Sequence, residues 1–409
     1  MSATQTTDEA ALSAAPTTND VPPSAAPTTN EAARTRQSFE EPENPMAHLT
    51  PAQIEQLGRE LDAIHDEVFA DLGERDSRYI RSTIKLHRHL VLAARAMLLG
   101  SRYKPLWLAG TASLSIAKIL ENMEIGHNVM HGQWDWMNDP DINSQNWDWD
   151  TASPADAWRH SHNYEHHTFA NIRGKDRDLG YEIMRIDPHQ PWHPVYLFQP
   201  LYNLLLMGFF EWGVATHDLN FDAIKAGEKS KEQVISELKA IGVKARRQVV
   251  KDYIAFPLLS GRRGFKSTLA ANFTANIVRN VWAHSIIFCG HFPDQTYTFS
   301  ERETENETRG GWYVRQLLGS ANIDGSPLFH LLAGNLSFQV EHHLYPDMPS
   351  SRYAEIAPRV RDICHRYGLP YNTGPLSKQL GTVHRTILRL ALPGGKPRPK
   401  PGPYRPEHA

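Results

Sequence analysis

The sequence predicts an all-α membrane protein: about four transmembrane helices in two hairpins, with a helical cap that carries clustered histidines. Three observations predict it. Helical periodicity dominates, and no alternating stretch is long enough to be read as a strand. Four apolar regions interrupt the polar background, at residues 90–100, 105–120, 194–210 and 267–290. Each histidine cluster sits outside an apolar segment, so two hairpins across a bilayer would bring all the clusters to one side.

Residues 1–45 are rich in Ala, Thr, Pro and Ser, and the heptad SAAPTTN occurs at Ser13–Asn19 and again at Ser24–Asn30. Too little apolar surface is available there to offset ordering entropy, so a disordered tail is expected. It lacks a basic stretch followed by an apolar one, which excludes a secretory signal. Thr50-Pro51 then gives an N-cap pattern ahead of a charged, helical-period segment. The first apolar region, "LVLAARAMLLG", is short and contains Arg95; the second, "PLWLAGTASLSIAKIL", carries Lys118 near its end. The third, "PVYLFQPLYNLLLMGFF", has no charged residue, and the fourth, "STLAANFTANIVRNVWAHSIIFCG", contains Arg279. A span needs about 20 mostly apolar residues, and only the third region approaches that length. Mean hydropathy of −0.49 is low for a membrane protein, although the tails pull it down. The membrane reading therefore rests on where the histidines fall. Residues 393–409 are Pro-rich and basic, a solvated tail or one resting on anionic lipid. The domain proper is read as 46–392.

Composition narrows the chemistry. Among 409 residues, 43 Lys+Arg against 46 Asp+Glu leave a net charge of −3, which gives nucleic-acid binding no electrostatic support. Two cysteines, Cys289 and Cys364, build neither a disulfide framework nor a Cys-rich zinc site, and fit a reducing compartment. The 21 histidines point elsewhere, because imidazole is the commonest protein metal ligand.

His127 and His131 form HxxxH, and on a helix i and i+4 share a face. His162, His166 and His167 form HxxxHH, with His160 two residues upstream of the first; four imidazoles in so short a run are hard to explain as packing. Gln339, His342 and His343 form QxxHH, and His291 follows the fourth apolar region. One zinc is usually four-coordinate, so this set fits two metals better. Imidazole suits iron and zinc alike, but zinc does no redox chemistry and iron can activate oxygen. Competing motifs are missing. A carboxylate di-iron bundle needs two Glu-x-x-His motifs and only Glu124 to His127 is clear; HExxH, GxGxxG and GxxxxGK[ST] do not occur.

The order HxxxH, HxxxHH, QxxHH, separated by apolar stretches, resembles the membrane fatty acid desaturases with a histidine-ligated di-iron centre. "KILENMEIGHNVMHGQWDWMNDP", "VRNVWAHSIIFCGHFPD" and "GNLSFQVEHHLYPDMPS" also look like the actinobacterial acyl-CoA desaturases. The resemblance implies O2-dependent insertion of a cis double bond into an acyl chain, a saturated acyl-CoA such as stearoyl-CoA at Δ9. A front-end desaturase or a hydroxylase on the same scaffold is the alternative, and a non-enzymatic membrane metal-binding protein is the reading from outside the class. It implies two iron ions held by His127, His131, His162, His166, His167, His291, His342 and His343, with His160 and Gln339 as further candidates. It also implies a multi-pass cell-membrane protein with the boxes in a cytoplasmic cap. Gln339 stands where animal stearoyl-CoA enzymes have His, as in front-end desaturases. "LPGG" at Leu392–Gly395 lacks the histidine of a cytochrome b5 haem signature. A separate donor is implied, an NADPH-dependent iron–sulfur flavin reductase or a ferredoxin, acting on an acyl-CoA or a lipid-bound acyl group. Trp134, Trp136, Trp147 and Trp149 are read as lining an acyl tunnel or as an interfacial belt. Arg173, Lys175 and Arg177 are read as a solvated face rather than a phosphate site.

Overall fold

A computed structural model describes residues 46–395, and the two tails read from the sequence fall largely outside it. Helix α1 (Pro51–Ala70) starts at Thr50, whose side chain accepts from the Gln53 N–H while the Gln53 side chain accepts from the Thr50 N–H. Helix α2 (Glu74–Leu99) turns back through Gly100 into α3 (Lys104–Ile119). That helix continues into a π-helical segment, Leu120–His127, which delivers the first histidines. A second π-helical segment, Arg159–His166, carries the next. The long helix Gly261–His291 packs against α3 and ends on the last of its own histidines.

The all-helical expectation needs one amendment. Strand β1 (Asn322–Asp324) pairs in parallel with β2 (Thr373–Pro375), a sheet too short to show an alternating pattern in the sequence. It has a positional role. Asn322 accepts from the Val340 N–H (2.9 Å) and donates to Glu341 (2.8 Å), which fixes the helix Gln339–Leu344.

The transmembrane expectation is corrected. Among the described residues no helix is long and apolar enough to cross a membrane. Each apolar region fails for its own reason. The first is the end of α2, whose earlier turns carry Arg75, Arg78, Arg81, Lys85 and Arg88. The second lies on α3, 16 residues or about 24 Å of helix. The third is broken into a 3-10 turn (Pro194–Phe198) and two short helices, Gln199–Gly208 and Phe210–His217. The fourth lies on a 31-residue helix that buries Asn272, Asn276, Arg279, Asn280 and His284. The same finding overturns the multi-pass cell-membrane placement with boxes facing the cytoplasm, and removes the support for a membrane partner.

The charges that interrupt those regions pair internally. Arg95 and Lys118 both reach the fully buried Asp252, each at 2.8 Å, and Arg279 pairs with Glu211. Buried ions without partners are prohibitively costly, so these helices can sit side by side only with the carboxylates in place. Two apolar clusters flank the polar layer. One joins α1 to Arg309–Gly319, Gln339–Leu344 and Tyr353–Arg366; the other joins α3 to the long helix and Leu376–Ala391.

Candidate metal centre

The two π-helical segments explain how histidines four and five apart converge. Bonding from i to i+5 widens the turn, and such segments occur frequently at functional sites. His127 closes the first segment and His131 follows it by one turn. His162 and His166 lie on the second, and His167 follows it. Gly290 allows the close approach of the third cluster, since a Cβ there would lie 2.7 Å from Gln339 Cγ.

Two groups result. Ring nitrogens of His127, His131, His162 and His342 all lie within 4.8 Å of one another, and so do those of His166, His291 and His343. The His167 ring lies between them, its centroid 4.7 Å from His131, 4.8 Å from His342 and 4.5 Å from His343. His160 is not brought in: its side chain is 69% exposed, 3.4 Å from Glu165 and stacked on Tyr164. Gln339 is brought in, with Nε2 3.1 Å from His291 Nε2 and its buried Oε1 unpartnered.

The outward nitrogens are held. His342 Nδ1 lies 3.2 Å from the Tyr353 hydroxyl, His343 Nδ1 3.0 Å from Gln316 Oε1, and His166 Nδ1 3.0 Å from Asp176 Oδ1. The inward ones are bare. His131, His162, His166 and His343 each leave a buried Nε2 without a partner, and His167 leaves both nitrogens. His127 Nε2 and His342 Nε2 face each other at 3.4 Å. Buried polar atoms are rarely left unsatisfied, and a metal with one ring nitrogen of each His facing it accounts for these.

Electrostatics agree. Burial, then neighbouring imidazoles, holds His127, His131, His167, His291, His342 and His343 well below the usual histidine range, in the neutral form that binds metal. Burial also lowers His162, against the pull of Asp178. At His166 burial is outweighed by Asp176, and the ring is pushed up to about 9. A cation at Nε2 would displace that proton.

A cavity abuts the first group, lined by His127 and His162 together with Phe210, Val214, Glu211 and Asn280. Trp149 lines it, whereas Trp134, Trp136 and Trp147 pack around Ile80, Ile125 and Val129. The basic run is also engaged: Arg173 pairs with Asp187, Arg177 with Glu165 and Glu182, and Lys175 sits over the Phe169 ring.

Sequence reasoning missed Asp176, Asp178, Gln316 and Tyr353. For the acids a signal existed, because "KDRDLG" places two carboxylates 10 and 12 residues after His166. Gln316 and Tyr353 carry no local signal.

The fatty acid desaturase family profile matches residues 105–375. The chain is 49% identical over 350 residues to the NADPH-dependent stearoyl-CoA 9-desaturase of Mycobacterium tuberculosis, covering 85% of this chain and 82% of that protein. It is 25% identical over 332 residues to the sn-1 linoleoyl-lipid 6-desaturase of Synechocystis, covering 78% and 91%. A Delta(5) fatty acid desaturase of Dictyostelium discoideum matches at 25% over 280 residues, 64% and 58% of the two chains. With buried histidine groups able to hold metal and this similarity across most of its length, the chain is an oxidoreductase of the fatty acid desaturase family.

Proposed function

We infer that this enzyme introduces a cis double bond into a saturated fatty acyl-CoA, stearoyl-CoA at the ninth carbon, using O2 and electrons that originate from NADPH. The observation that carries the reading is the pair of adjacent histidine groups with bare inward nitrogens, two of whose members line a cavity. The relative from M. tuberculosis, named an NADPH-dependent stearoyl-CoA 9-desaturase, supports the substrate and the reductant. No nucleotide-cradling motif occurs in the chain, which supports a separate reductase or ferredoxin as the immediate donor.

Two iron ions fit the donor set. His127, His131, His162 and His342 would hold one and His166, His291 and His343 the other, with His167 between and Gln339 beside the second. Bound iron supplies oxygen activation and the power to remove hydrogen from unactivated methylenes. The chain's own residues do the rest. Tyr353, Gln316 and Asp176 orient the imidazoles through their outer nitrogens. Phe210, Val214 and Trp149 exclude water along the cavity and hold an acyl chain against His127 and His162. Glu211, bonded to Gln248 and paired with Arg279, and Asn280 add polar groups to the same wall.

The test is acyl-chain analysis after incubation with stearoyl-CoA, NADPH, O2 and a matching reductase. The expected product lacks two hydrogens, with the double bond at the ninth carbon; His342→Ala and His167→Ala abolish it, and His160→Ala does not. A product that gains one oxygen would make the enzyme a hydroxylase. A double bond between the ninth carbon and the carboxyl end would assign it to the front-end type, the second reading, which Gln339 and the 6- and Delta(5)-desaturase relatives favour. Zinc in the purified protein, with no oxygen consumed, would sink the reading altogether.

A further inference from the structure

Asp178 occupies a place that neither histidine group explains. His162 belongs to the four-histidine group and His166 to the three-histidine group, four residues apart on one π-helical segment. Asp178 Oδ2 lies 3.6 Å from His162 Nδ1 and 3.7 Å from His166 Nδ1, almost equidistant between the two rings. Its other oxygen, Oδ1, lies 3.0 Å from His217 Nε2, and His217 is buried on the helix Phe210–His217. The backbone of Asp178 is held as well. Asp176 Oδ1 accepts from the Asp178 N–H at 3.0 Å, and Asp176 Oδ2 accepts from the Asn171 N–H at 2.7 Å.

His162, His166 and Asp178 also lie close enough to hold a cation of their own. The atoms argue against a third ion there. Asp178 faces the Nδ1 side of both rings, while the Nε2 atoms of both are the bare, buried ones. A histidine that binds metal through one nitrogen hands its other N–H to a carboxylate, carbonyl or water. Asp178 stands in that outer position for His162, and the same oxygen places its charge beside the outer nitrogen of His166, whose N–H goes to Asp176. His217 Nε2 supplies the hydrogen-bond partner that a buried carboxylate needs.

We propose that Asp178 is a positioning residue shared by the two metal positions, one carboxylate oxygen set against the outer nitrogen of a histidine in each group so that both ions load together. The proposal rests on the two-metal reading above. Asp176 contrasts with it, because it contacts His166 alone among the ligand candidates. The two acids therefore have different signatures.

The test is anaerobic titration of the full-length, metal-free protein with ferrous iron, followed by competition with a chelator and elemental analysis. Wild type is expected to take up two ions. Asp178→Asn removes the negative charge beside both rings, and should weaken both binding steps by about 10–100-fold. Asp176→Asn should weaken one step and leave the other. If Asp178→Asn does not fold, His217→Leu carries the test, since loss of the hydrogen bond that holds Asp178 Oδ1 should weaken both steps alike. Weakening of one step only, or of neither, overturns the proposal. So does a third ion in wild type that disappears with Asp178. If wild type binds two ions and desaturates while the variants bind normally, this inference alone fails; if wild type does neither, the functional reading fails with it.

Discussion

Removing one oxygen atom, by Tyr353→Phe, should separate orientation of a ligand from packing around it. Tyr353 is fully buried, and its hydroxyl donates to Tyr345 O at 3.0 Å, accepts from Gln133 Nε2 at 3.0 Å and faces His342 Nδ1 at 3.2 Å. With its proton committed to Tyr345 O, the hydroxyl can only accept from His342. That places the imidazole proton on Nδ1 and leaves Nε2 bare, 3.4 Å from His127 Nε2. Phenylalanine keeps the ring volume and opens no cavity. Gln133 retains Pro346 O at 3.1 Å, so the chief orphan is the His342 N–H, and a buried unsatisfied donor costs about 1–3 kcal/mol. Losing the group that fixes the ring should lower metal affinity about 10–100-fold, or roughly 1.4–2.7 kcal/mol. Ferrous iron competition against a chelator reads the affinity, and thermal unfolding of the metal-free protein reads the stability. A fall in melting temperature with unchanged iron affinity would refute the orienting role and leave Tyr353 a packing residue.

Three other perturbations test separate parts of the structure. Val214→Phe adds volume inside the cavity, so the acyl profile should move toward shorter chains, at an overpacking cost of about 1–3 kcal/mol; an unchanged chain-length preference would detach this cavity from the substrate. Burial pushes the Glu124 carboxyl from 4.5 up to about 7, against hydrogen bonds from Ser350, Tyr79 and Asn335. Its folded pKa is raised, so the contribution is full below 4.5 and is lost as pH rises toward 7, about 3 kcal/mol in all. Denaturant midpoints for wild type and Glu124→Gln should therefore draw together or cross as pH climbs through that window, and parallel curves would contradict the shift. Arg352 holds Asp76 through two bonds of 2.6 and 2.8 Å, both side chains buried, and Arg352→Met should cost about 3–5 kcal/mol in urea unfolding. A loss under 1 kcal/mol would show that Asp76 is rescued by protonation.

The helical character and the family were legible from local pattern. Thr50 and Gln53 form the capping box that the Thr50-Pro51 start foreshadows, because capping depends on residues three apart. The memberships of His127 and His131, or of His162 and His166, in common neighbourhoods follow from helical spacing in the same way. Choosing between His160 and His162 did not. Both lie on the π-helical segment, and only packing of the segment against Trp158 and Asp178 turns His162 inward and leaves His160 beside Glu165 at the surface.

Hydropathy misled because it sums residues without knowing their partners. Region 194–210 reads as one apolar run, yet the backbone leaves helical geometry at Phe209 and divides it. Arg95, Lys118 and Arg279 read as interruptions, whereas each meets a carboxylate brought from elsewhere in the chain. What the sequence determined by itself was the chemistry on offer: histidines at helical spacings, few cysteines and no phosphate-binding loop. Tertiary structure decided which nitrogen of His162, His166, His342 and His343 faces inward, because that choice belongs to Asp176, Asp178, Gln316 and Tyr353. Gln316 and Tyr353 lie 27 and 11 residues from the histidines they hold, and their hydrogen bonds exist only once the helices have packed.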